Sequence, residues 1–158
     1  VPKDKHQDLD YLVDQLDWDG NVDPSFKDRH YLEPIADGDT EKSGYVDKWI
    51  VYGDIAGEQL FSAKELTVQP GKKVTIKDNG ASGVYCIQGR GKIGGLPLEC
   101  PAMIRFGEMT EDEVFVSAKR ANEGYTVENL GGECPLVLLR YFGPGVNPQA
   151  PKVGDAKK

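Results

Sequence analysis

From Tyr45 to Gly145 the chain repeats one pattern: a run of β-branched or aromatic residues, then glycine, proline or asparagine. The runs are "YVDKWIVYGD", "EQLFSAKELTVQPG", "KKVTIKDNG", "GVYCIQGRGKI", "DEVFVSA", "GYTVENLGG" and "PLVLLRYFGPG". They recur about every ten residues, the spacing of short strands in a sandwich or barrel. No helix-length periodic segment lies between them, which argues against a βαβ fold. Side chains alternate in and out along each strand, so one parity of each run must fill the interior.

The flanks read differently. Asp8–Trp18, "DLDYLVDQLDW", sets Leu9, Leu12, Val13 and Leu16 at helical spacing and predicts one amphipathic helix of about three turns. "DGNVDP" then stops it. Ser25–Gly44 is polar and mixed, as in an extended arm, with apolar anchors in "HYLEPI". The expected organisation is helix and arm over 1–44, barrel over 45–146, and a disordered Pro- and Lys-rich tail over 147–158. A chain of 158 residues suffices for one domain with a sizeable core.

Charge narrows the partners. A formal net charge of −7 sets the chain against phosphate backbones and anionic membrane surfaces, so neither nucleic acid nor membrane is expected as a partner. No stretch has the apolar length of a membrane span, and the N-terminus lacks a signal core. The chain starts at Val1 without Met and reads as a processed product or a fragment of a longer protein. Cys86, Cys100 and Cys134 are odd in number and form no CxxC pair. That argues against a disulfide scaffold or structural zinc and for buried, reduced thiols in a cytoplasmic setting.

"LTVQPGKKVTI…VYCIQGRGKI" followed by "DEVFVSA…GYTVENLGGECPLVLLRYF" resembles the cupins. The cues are Pro70-Gly71 opening the first motif, Gly89 and Gly91 ending its central strand, and Asn129–Val137 leading into a long apolar strand. The resemblance spans Gln59–Gly143 and implies an all-β fold, the double-stranded β-helix or jelly-roll barrel, here with an N-terminal helix and arm. That helix and arm resemble the linker before a second cupin domain. Metal-binding cupins carry His-x-His and then Glu on the first motif and one His on the second, a set suited to a divalent transition metal. In this sequence the Glu position falls on Ser82. The His pair falls on Ile76 and Asp78, or on Thr75 and Lys77 in the other register. The last His falls on Tyr125, or on Asn122. His6 and His30 lie outside both motifs. The resemblance therefore implies a roll with a degenerate metal site, no metal and no cofactor.

Alternation supplies a candidate pocket. Ser62 and Lys64 share a face with Leu60, Leu66 and Val68; Asp78 shares one with Val74 and Ile76; Ser82, Cys86 and Gln88 share one with Val84. If these faces look inward, Lys64, Asp78, Ser82, Gln88 and Tyr125 converge where the metal would sit. Such a set suits a small hydroxylated molecule such as a sugar. The competing expectation is a structural Lys64–Asp78 ion pair, with Gln88 in solvent at a strand end. Arg140 reads as an outward residue at an interface, with an inward anion clamp as the other reading. "GVYCIQGRGKI" reads as a strand, a Gly89-Arg90-Gly91 turn and another strand, and the glycines of "GRGKIGG" (Gly89–Gly95) as turn residues and not as a phosphate loop. Arg105–Phe115 reads as a solvated acidic turn without calcium-loop spacing, and Cys86 as a core thiol.

The expected function is a metal-free domain that binds a small polar ligand or serves a structural or dimerising role. The alternative is a sugar or sugar-phosphate isomerase or epimerase. Its acid–base pair would be Lys64 and Tyr125, or Asp78 and Tyr125. The strand Tyr45–Gly53 is expected to cover a sheet edge, in its own chain or across a homodimer, unless the roll packs on a second cupin domain.

Overall fold

Alternating burial organises the strands. In the computed structural model, which describes residues 1–38, 40–55 and 57–154, nine strands form among the described residues. They are β1 (Ile35–Ala36), β2 (Tyr45–Val51), β3 (Ser62–Val68), β4 (Lys73–Ile76), β5 (Ser82–Ile93), β6 (Leu96–Cys100), β7 (Glu113–Val116), β8 (Tyr125–Asn129) and β9 (Leu136–Phe142). All pair antiparallel in the order β1-β2-β3-β9-β5-β8-β4, with β6 and β7 also on β5. The chain divides into two units after Tyr31, and the strands all belong to the second.

β5 joins the two sides of the roll. Its first residues, Ser82–Tyr85, lie between β9 and β7; its last, Gly91–Ile93, lie between β8 and β6. A register shift between Cys86 and Gln88 marks the bend, the usual work of a β-bulge. The sequence reading of a Gly89-Arg90-Gly91 turn is corrected here: β5 runs unbroken to Ile93, and the turn comes at Gly94-Gly95. Gly91 serves close approach, because a Cβ there would lie 2.1 Å from the Glu128 backbone oxygen on β8.

The interior is filled from both sides by Leu66, Val68, Val74, Ile76, Val84, Ile93, Leu98, Val127, Leu136 and Leu138, all buried. Each such side chain contributes about 1.5–3 kcal/mol by leaving water. Asn129 pins a corner: its Nδ2 donates to the Val68 and Cys134 carbonyls at 2.9 and 3.0 Å, and its Oδ1 accepts from Gly131 N–H at 2.8 Å.

Other expectations are amended. α1 (Leu9–Asp14) is shorter than the predicted helix, because Asp17 caps a second one, α2 (Trp18–Asn21), through Gly20 N–H at 2.9 Å. α3 (Phe26–His30) and β1 fall within the segment read as an extended arm. Six residues, α4 (Ala118–Glu123), form a helix that the strand pattern hid, capped by Ser117 and ended at Gly124. β2 does cover an edge in its own chain, that of β3. Asn147, assigned to a free tail, is buried and bonded to the roll, while residues 155–158 of that tail lie outside the described residues. Of the cysteines only Cys86 is buried; Cys100 is half-buried, Cys134 exposed, and all are free. Among the described residues no helix is long and apolar enough to cross a membrane.

Candidate functional site

One end of the interior is polar, and strand register explains why. Ser62 on β3 and Ser82 on β5 both face Phe142 on β9. One step inward, Trp49, Lys64, Arg140 and Val84 lie side by side across β2, β3, β9 and β5. Beyond them come Asp47, Leu66, Leu138 and Cys86, where the apolar core begins. Asp78 enters from the opposite side, just past β4, held by its own N–H to the Ala121 carbonyl of α4 at 3.1 Å. Tyr125 stands at the start of β8, beside Ile76.

Arg140 is the centre of this cluster. Its side chain is 0% exposed. Nη1 donates to both Asp78 oxygens at 2.8 and 2.9 Å, and Nη2 to Asp47 Oδ1 at 2.5 Å. Tyr125 donates its phenol to Asp78 Oδ2 at 2.7 Å. Lys64 bonds Asp37, lies 3.8 Å from Asp47 Oδ2, and sits 4.3 Å from the centre of the Trp49 ring. Burial opposes the charge on Arg140, but Asp47 and Asp78 outweigh it and hold the guanidinium ionised. Burial, ahead of the smaller charge effects, pushes the Tyr125 phenol well above its ordinary range. Burial likewise pushes the Cys86 thiol up to about 11, fitting a core thiol.

Four of the five expected pocket residues, Lys64, Asp78, Ser82 and Tyr125, do face this buried end. The Ile76/Asp78 register is the inward one, since Thr75, Lys77 and Asn122 are exposed. Gln88 is corrected as a pocket residue: the β5 bulge turns it outward into solvent, as the competing expectation had it but in mid-strand, where Nε2 reaches the Pro135 carbonyl at 3.4 Å. The Lys64–Asp78 pair is corrected too, because Lys64 pairs with Asp37 and Asp47 while Asp78 pairs with Arg140. Arg140 points inward and not to an interface. Arg140, Asp47, Asp37 and Trp49 were absent from the sequence-derived set.

A plug crosses the polar end. Asn147 Nδ2 bonds Ser62 Oγ at 3.2 Å, and Gln59 Nε2 bonds the Asn147 carbonyl at 2.8 Å. Beside it, Val146 sits against Gly80, where a Cβ would lie 3.0 Å from the valine Cγ1. Beneath the plug, Ser82 Oγ and Arg140 Nε have no protein partner among the described residues.

These donors do not fit a transition metal. Asp78 already accepts three hydrogen bonds, from Arg140 and Tyr125, most of a carboxylate's capacity. Among the described residues no group of three or more His, Cys, Asp and Glu is placed to hold a metal ion.

No family model matches the chain, and no curated protein matches it. Solved structures do. A cupin-2 domain of an XRE-family transcriptional regulator from Enterobacter cloacae is 14% identical, with 62% of this chain and 94% of that one covered and a TM-score of 0.42. A cupin-2 domain protein from Rhodospirillum rubrum is 15% identical over 78% of this chain and 76% of its own, with a TM-score of 0.47. A mutant of Bacillus subtilis oxalate decarboxylase is 22% identical over 71% of this chain and 28% of its own, with a TM-score of 0.45. The fold is an all-β roll of antiparallel strands. Within it, an arginine clasped by two aspartates fills the polar end of the interior.

Proposed function

We propose that this is a metal-free cupin-type domain whose interior is structural, and that it acts as a binding or scaffolding module and not as an enzyme. The observation that carries this reading is the clasp of Arg140 by Asp78 and Asp47. The guanidinium supplies, from the protein itself, the positive charge a metal would bring to that end of the roll. Asp78 is thereby spent as a ligand and as a base. Tyr125, its phenol held neutral, is a poor proton donor to substrate at neutral pH. Lys64 is engaged by Asp37 and Asp47. Both acid–base pairs of the isomerase reading are therefore tied up in ion pairs and hydrogen bonds. Free thiols suit a reducing, cytoplasmic setting.

A second reading keeps the interior as a site for a small polar, sugar-like ligand held by Lys64, Asp78, Ser82 and Tyr125. The unpartnered Ser82 Oγ and Arg140 Nε favour it. Such a ligand would have to displace the Asn147 plug. A thermal-shift screen with sugars and sugar phosphates separates the two, because a ligand bound only by the folded state raises the melting temperature. The structural reading expects no shift. A saturable shift that Ser82→Ala abolishes would establish the second.

A further inference from the structure

Outside the roll, on the opposite surface of the β7-β5-β9 sheet, lies a groove of about 1160 Å³. Its floor is Tyr141, whose ring lies so close over Gly83 that a Cβ there would fall 1.9 Å from a ring carbon. Phe61, Leu96, Met109 and Phe115 form the walls, and Phe115 is 73% exposed. Further along the sheet Tyr85 and Ile87 continue the apolar face. The adjoining loop between β6 and β7 exposes Met103, Ile104 and Phe106 as well. Scattered exposed hydrophobics need no explanation, but a contiguous set of this kind marks an interaction site. Methionines give such a surface the freedom to re-pack around a partner.

Charge identifies the partner. Glu108, Glu111 and Glu113 line the groove, and among the described residues no lysine or arginine does. Tyr141 donates to Glu113 Oε1 at 3.3 Å, which holds that carboxylate over the floor. Arg105 stands 3.8 Å from Glu108, while Glu111 makes no ion pair among the described residues. A second copy of the chain would bring these carboxylates toward their own kind across a twofold axis, at a cost. An anionic membrane would be repelled in the same way. The volume exceeds the ordinary range of small-molecule pockets, about 300–1,000 Å³. It suits a row of side chains from one helix face.

We infer that this groove docks a positively charged amphipathic segment of another protein, its apolar face on Tyr141 and Phe115 and its basic rim against Glu108, Glu111 and Glu113. The inference rests on the reading of the domain as a binding module and names its partner class.

The test uses the full chain and a labelled peptide of about 18 residues, five helical turns, made of leucine and lysine in amphipathic order. Fluorescence anisotropy should show saturable binding that salt weakens. The triple variant Glu108→Gln, Glu111→Gln, Glu113→Gln should weaken it about tenfold, as should Phe115→Ser at an exposed position. No binding by the native chain, or unchanged binding by either variant, overturns the assignment, as does equal affinity for a leucine–glutamate peptide. A dimer in light scattering that Phe115→Ser dissolves would give the groove to a second copy, and co-sedimentation with anionic vesicles would give it to a membrane; both contradict the proposal. A sugar-induced thermal shift would instead defeat the structural reading of the interior and leave the peptide result standing.

Discussion

A buried guanidinium is tolerable only with its charge matched and its hydrogen bonds mostly made. Arg140 meets the first condition through Asp47 and Asp78. Removing it strands both carboxylates, so Arg140→Met should cost about 3–5 kcal/mol in urea denaturation. Tyr125→Phe removes one bond to Asp78 and leaves the Arg140 clasp intact, so it should cost less, about 1.5–3 kcal/mol. Equal costs would contradict the hierarchy. Titration gives a second check at this scale. The Cys86 thiol goes from an ordinary 9.0 in the unfolded chain to about 11 in the fold. Between those values the native state holds a proton that the unfolded state has lost, so stability falls as pH rises. Tyr125, raised from 10.0, acts with the same sign at higher pH. The urea midpoint should therefore carry the full contribution of these groups below pH 9 and lose it above; a rise there would contradict the burial of both. Arg140 also shows what the sequence contained and parity arguments can lose. In "LVLLRYF" it shares its face with Leu136, Leu138 and Phe142, all buried. Comparing it with its neighbours Leu139 and Tyr141 pointed outward; comparing it with alternate residues would have pointed inward. Asp37 and Asp47 carried no such signal, because their role depends on which strands become neighbours.

β5 is the element on which the roll depends, since it belongs to both sides. Gly91→Ala would drive a methyl into the β8 backbone and should cost about 1–3 kcal/mol, read from chemical denaturation; a neutral result would show that β5 and β8 are less tightly apposed than described. Strand periodicity was legible at this scale, whereas the run of β5 past Gly91 and the bulge were not. One inserted register step reversed Gln88 from an interior candidate to a solvent residue, and nothing in "YCIQGRG" announces it. The segment after β9 was misread for a related reason: proline and lysine content suggested freedom, but Asn147 is buried against Ser62. Truncation after Val146 should lower the melting temperature, where a free tail would leave it unchanged. Short helices such as α4 escape periodicity because six residues make under two turns.

For the whole molecule, the acidic balance read from the sequence recurs locally as the carboxylate rim of the groove. The apolar patch itself was not legible, because it is assembled from β7, β9 and loops far apart in the chain. Of the positions that the cupin resemblance singled out, Asp78, Ser82 and Tyr125 lie at the buried polar end, which alternation along the strands made legible. The proposed metal-free interior depends on Arg140 occupying Asp47 and Asp78. The most direct test is elemental analysis of the full chain after incubation with iron, manganese, nickel or zinc and exhaustive dialysis. With Arg140 seated between Asp78 and Asp47, the retained metal should be far below one equivalent per chain. One equivalent retained by the native chain and lost in Asp78→Asn would contradict it.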